Sequence, residues 1–118
     1  MGAPMIVSTA PYVAAQRVVE TKGQVFGLVV RSRGLAGNLT AGLRSLVGGE
    51  IHEYTELLED TRRQALDRMI ENAALMGANG VISMRFDSSE LGQSMSEIVA
   101  YGTAVVLAPD ASAPPELE

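Results

Sequence analysis

Apolar residues along this chain follow two periods, and the change between them marks the elements. Met5 to Thr9 is a short β-branched run ending at Pro11, which predicts a small strand. Gln16 to Ser32 predicts a much longer strand with a break at Lys22-Gly23. Its second half, Val25-Phe26-Gly27-Leu28-Val29-Val30, is apolar at successive positions rather than alternate ones. Successive residues point to opposite faces of a strand, so both faces are expected to be buried there.

The period then lengthens. Leu35, Leu39, Leu43, Leu46 and Val47 recur at helical spacing, predicting a short helix capped near Asn38 and ended by Gly48-Gly49. A long helix is predicted from about His52 to Met76. Leu58, Arg62, Ala65, Met69, Ala73 and Met76 form its stripe, widened by Leu57, Leu66 and Ile70. Acidic residues dominate its first turns, as the helix dipole prefers, and Gly77 supplies the left-handed stop. Val81 to Asp87 returns to a period of two, with Ile82, Met84 and Phe86 expected inward and Ser83, Arg85 and Asp87 outward. Ser88 to Ser94 holds a turn, and Glu97 to Leu107 is the antiparallel return, apolar on both faces. Gly102 within it predicts a bend or a close backbone approach.

The expected fold is therefore α+β, in β-β-α-α-β-β order with a β-α-β-β core and one long helix packed on a small mixed sheet. The crossover from the long strand to Val81 is expected to be parallel and right-handed, with a hairpin after it. One helix covers one face of such a sheet, and doubly apolar strands then present surface that wants a partner, so a homo-oligomer is expected. The alternative is a monomer whose short helix covers the second face. Residues 5–107 read as one domain, and 108–118, rich in Pro, Ala and acidic residues, as a disordered tail.

Composition narrows the function more by exclusion than by indication. A net charge of −5 argues against a nucleic-acid partner, which needs clustered Lys and Arg. There is no cysteine, so disulfides, zinc–thiolate sites and thiol catalysis are excluded. The N-terminus has neither the basic nor the apolar region of a signal peptide, and no apolar run approaches the roughly 20 residues of a membrane span. A cytoplasmic protein without a membrane partner is expected.

Five segments in order carry a resemblance. They are Met5-Ile-Val-Ser-Thr9, Lys22-Gly-Gln-Val-Phe-Gly27, Val47-Gly48-Gly49 with Tyr54, Gly77-Ala-Asn-Gly-Val-Ile82, and Gly102-Thr-Ala-Val-Val106. On these residues the chain resembles the YbjQ-like family of small uncharacterised proteins, which carries a heavy-metal-binding label. The resemblance covers about Met5 to Leu107. It implies a dodecin-like β-α-β-β subunit that assembles as a closed ring, a pentamer, and it brings no established activity.

Candidate chemistry concentrates around the start of the long helix. His52-Glu53-Tyr54-Thr55-Glu56 reads H-E-x-x-E, one residue from the zinc-protease H-E-x-x-H. On a helix His52 and Glu56 share a face and could hold one divalent ion, with Glu53 beside them as base and Glu50 near. The plainer reading is a solvated acidic first turn, since this is the chain's single histidine. Gly48-Gly49 could offer bare backbone N–H groups to an anion, but lacks the Lys and Ser/Thr of a phosphate loop. Tyr54 could line a pocket between subunits or simply pack. Together these features point to a non-enzymatic homo-oligomer that binds a small ligand or a metal ion at its interfaces. The alternative is a metal-dependent hydrolase built on His52, Glu53 and Glu56.

Overall fold

The computed structural model describes residues 4–32, 52–92 and 95–111. Its elements are strand β1 (Ile6–Val7), strand β2 (Gln16–Ser32), helix α1 (His52–Leu75), strand β3 (Gly80–Leu91) and strand β4 (Met95–Pro109). The strands form one mixed sheet in the order β1-β3-β4-β2. β4 pairs antiparallel with both β2 and β3, so β2 and β3 run parallel with β4 between them, while β1 pairs parallel with β3. This is the α+β architecture expected, with one helix packed on a four-stranded sheet. The predicted short helix at 34–47 lies outside the described residues.

The break foreseen at Lys22-Gly23 is not an end of the strand. β2 stays continuous and absorbs two register shifts against β4, between Val18 and Glu20 and between Thr21 and Gly23. Such bulges increase local twist without breaking the ladder.

α1 buries a narrower stripe than its apolar residues predict. Thr61, Ala65, Met69 and Ala73, each four residues apart, are its buried positions, whereas Leu58 and Arg62 are exposed. Thr61 sits in the core at 3% exposure because its hydroxyl donates to the Leu57 carbonyl at 2.8 Å, which satisfies it within the helix. The small residues of this stripe meet Gly27 on β2. A Cβ on Gly27 would overlap Met69 N and Ala65 O and lie 2.8 Å from Arg68 C, so helix and strand backbones are in near contact. The helix ends as predicted: Gly77 adopts φ 83°, its N–H donates to Ala74 O at 3.0 Å, and Ala78 N–H donates to Ala73 O at 3.1 Å. These are the two bonds of a Schellman cap.

The alternation expected along β3 needs correction. Val81 and Met84 are buried against the helix, with Phe86 on the same face, while Ile82 turns to the other side. The cause is a bulge: Ser83 and Met84 together oppose Gly102, and Ser83 adopts φ 54°. One extra residue reverses which positions face the helix. A Cβ on Gly102 would lie 2.9 Å from Ile82 O, so the close approach predicted for that glycine is what admits the bulge. The core gathers Val25 and Val29 from β2, Ala65, Met69 and Ala73 from α1, Val81 and Met84 from β3, and Ala100 and Ala104 from β4.

Candidate functional site

The surface that stands out is the sheet face turned away from α1. Cross-strand partners share a face, so three rows run over it from β2 through β4 to β3: Phe26–Tyr101–Arg85, Leu28–Val99–Asp87 and Val30–Glu97–Ser89. The face is graded. Its β2 side is apolar and its β3 side polar or charged. Phe26 is 58% exposed, Val30 46% and Tyr101 43%. A hollow of about 330 Å³ opens among Gln24, Phe26, Val99 and Tyr101. The double apolarity of Val25–Val30 thus resolves into Val25, Gly27 and Val29 beneath the helix, and Phe26, Leu28 and Val30 outward.

A second concavity, of about 520 Å³, lies between the N-terminal half of α1 and the β3–β4 hairpin, lined by Leu58, Arg62, Phe86, Ser88, Ser96 and Ile98 among others. The Arg62 guanidinium stands over the Phe86 ring at 5.5 Å, a contact worth about 0.5–1 kcal/mol at an exposed site. Arg31 Nη2 lies 3.6 Å from Asp60 Oδ2 and ties β2 to the helix. The lining also carries Ser89 and the carboxylates of Asp87, Glu90 and Glu97, so the concavity is polar on its hairpin side. Neither Arg62 nor Phe86 was singled out from the sequence as a site residue. A helix cation and a strand aromatic on different elements, Arg62 and Phe86, leave no sequence signal of their contact.

The sequence-predicted site is placed only in part. Gly48, Gly49 and Glu50 lie outside the described residues. His52, Glu53 and Tyr54 open α1, but their side chains also lie outside what is described, and Glu56 is exposed on the first turns. Among the described residues no three His, Cys, Asp or Glu side chains gather closely enough to hold a metal ion.

Comparison with known proteins decides the family. A family model described as "Putative heavy-metal-binding" matches residues 5–108. The chain belongs to this YbjQ-like family. It is 63% identical over 105 residues to UPF0145 protein BRADO6695 of Bradyrhizobium sp., covering 89% of this chain and 95% of that one. It is 57% identical over 113 residues to a UPF0145 protein of Methanoregula boonei, covering 96% and 94%. Among solved structures, a protein of unknown function from Pediococcus pentosaceus superposes with a TM-score of 0.57 at 14% identity, over 88% of this chain and 98% of that one. That likeness shows a shared fold. The donor set does not suit the family's heavy-metal description: soft metals favour thiolate and imidazole, and this YbjQ-like chain has no cysteine and one histidine.

Proposed function

We propose that this YbjQ-like protein is a non-enzymatic, cytoplasmic subunit of a homo-oligomeric ring of about five copies, which holds a small ligand or a metal ion at its subunit interfaces. The observation that carries the reading is the one-sided cover of the sheet among the described residues. α1 packs on one face, and the opposite face leaves Phe26, Leu28, Val30 and Tyr101 exposed on neighbouring strands. A contiguous apolar patch of this kind on a small subunit marks an association surface. Ring closure and the number five are what family resemblance implies. The carboxylate-rich start of α1 favours a hard divalent cation over a heavy metal as any metal cargo.

The hydrolase alternative has less behind it, because the sequence offers one histidine and no cysteine for a catalytic zinc site. The experiment is native mass spectrometry on protein purified without chelator or metal-affinity resin. A ring carrying a stoichiometric extra mass supports the whole reading and weighs the ligand. A ring without added mass keeps the assembly and removes the ligand, and a monomer removes both.

A further inference from the structure

We propose that Asn79-Gly80 is a deamidation site that the fold holds shut, so that the chain is modified there when it unfolds and not while it is folded.

The chain has three asparagines, Asn38, Asn72 and Asn79, followed by Leu39, Ala73 and Gly80. Deamidation begins when the backbone N of the next residue attacks the asparagine Cγ. Gly80 has no Cβ to obstruct that approach, and its backbone rotates more freely than any other residue's. Asn79 is therefore the reactive one of the three in an unfolded chain. Water is the only co-reactant. The Gly80 amide gives up its proton, its N bonds to Asn79 Cγ, and the Cγ–Nδ2 bond breaks to release ammonia. Water then opens the five-membered imide at either carbonyl, giving aspartate or its isomer linked through the side chain.

In the folded chain the reacting side chain is held against β4. Asn79 Nδ2 donates to Leu107 O at 3.0 Å, and Leu107 N–H donates to Oδ1 at 2.6 Å, which fixes Cγ from both ends. The backbone is fixed as well. Asn79 N–H donates to Val105 O and Asn79 O accepts from Ile6 N–H, both at 3.1 Å. Gly80 is in register with Ile6 on β1 and with Val105 on β4. Ring closure requires both Leu107 bonds to break and a peptide held between two strands to turn. Asn79 is itself exposed, whereas Gly80 is buried. Water thus reaches the side chain, and the protection is conformational: the opening that permits attack unpairs the start of β3.

The product does not fit the site it leaves. A carboxylate at position 79 has acceptors only, so it meets Leu107 O acceptor to acceptor. The isomer adds one atom to the backbone where β3 takes its register from β1 and β4.

The test incubates wild type at mildly alkaline pH in buffer and in urea, and follows the tryptic peptide of residues 69–85 by tandem mass spectrometry. That peptide holds both Asn72 and Asn79, so Asn72 is the internal control. The expected result is modification confined to Asn79, at a rate in buffer at least about tenfold below that in urea. Gly80→Ala is compared in urea, where any effect on folding is removed, and is expected to react several-fold more slowly than wild type. A buffer rate less than about tenfold below the urea rate overturns the protection by the fold. No modification of Asn79 in urea, or Gly80→Ala reacting as fast as wild type, overturns the site. Asn79→Asp, one of the two products, is expected to melt below wild type, and an equal melt overturns the misfit of the product.

Discussion

Asn79 holds the backbone of Leu107 from both sides: its Nδ2 donates to Leu107 O at 3.0 Å, and Leu107 N–H donates to its Oδ1 at 2.6 Å. One side chain thereby takes the place of a strand residue where β3 begins beside the end of β4. The backbone joins in, since Ile6 N–H donates to Asn79 O and Asn79 N–H to Val105 O, both at 3.1 Å. Three strands are thus tied at one residue. Asn79→Ala removes two part-buried hydrogen bonds and strands their partners, and is expected to lower stability by about 1–3 kcal/mol. Urea denaturation checks this. A midpoint equal to wild type would mean that water replaces the amide without loss.

Gly27 is the point at which β2 and α1 come closest. The atoms that a Cβ would strike there are backbone atoms of Ala65, Arg68 and Met69, which cannot swing aside. Gly27→Ala is expected to force the helix off the sheet and lower stability by about 1–3 kcal/mol or more. A thermal melt coincident with wild type would show that the helix can lift without loss.

Phe26 and Val29 separate folding from assembly, because they lie on opposite faces of one strand. Val29 is buried against the helix, and Val29→Asp places an unpaired charge in the core, so the chain is expected to lose its cooperative melt. Phe26 faces outward, and Phe26→Asp is expected to give a folded but dissociated subunit. Circular dichroism with sedimentation velocity distinguishes the two outcomes. The same phenotype from both variants would contradict the assignment of faces.

His52 distinguishes the assembly reading from the hydrolase. His52→Ala is expected to leave the melt, the stoichiometry and any bound mass unchanged. Loss of a bound divalent ion, followed by elemental analysis of the purified protein, would favour a metal site at His52, Glu53 and Glu56.

The helix and its stop were legible because Gly77 and the small residues before it act locally, through backbone conformation and one amphipathic period. The parallel relation of β2 to β3 and the hairpin from β3 to β4 followed from connection rules. What escaped was non-local or chemically disguised. Thr61 reads as a surface residue until its hydroxyl is seen bonded to Leu57. The β3 bulge depends on Ser83 and Met84 meeting Gly102, a pairing between different strands that alternation along one strand does not contain. Arg68 and Asn72 read as ordinary polar helix positions, although they guard carbonyls some forty residues earlier in the chain. The sequence offers candidate chemistry at Glu50, His52, Glu53 and Glu56, and of these only the Glu56 side chain is among the described residues. The apolar outer face was legible only as an excess of hydrophobic positions, and the grading from Phe26 to Arg85 emerged once the strands were in register.

The most direct test of the central claim, that the outer sheet face is an association surface, is the mass of the wild-type particle in solution by sedimentation equilibrium. The account predicts a single species of about five chain masses that persists on dilution. A species of one chain mass at every concentration would contradict it.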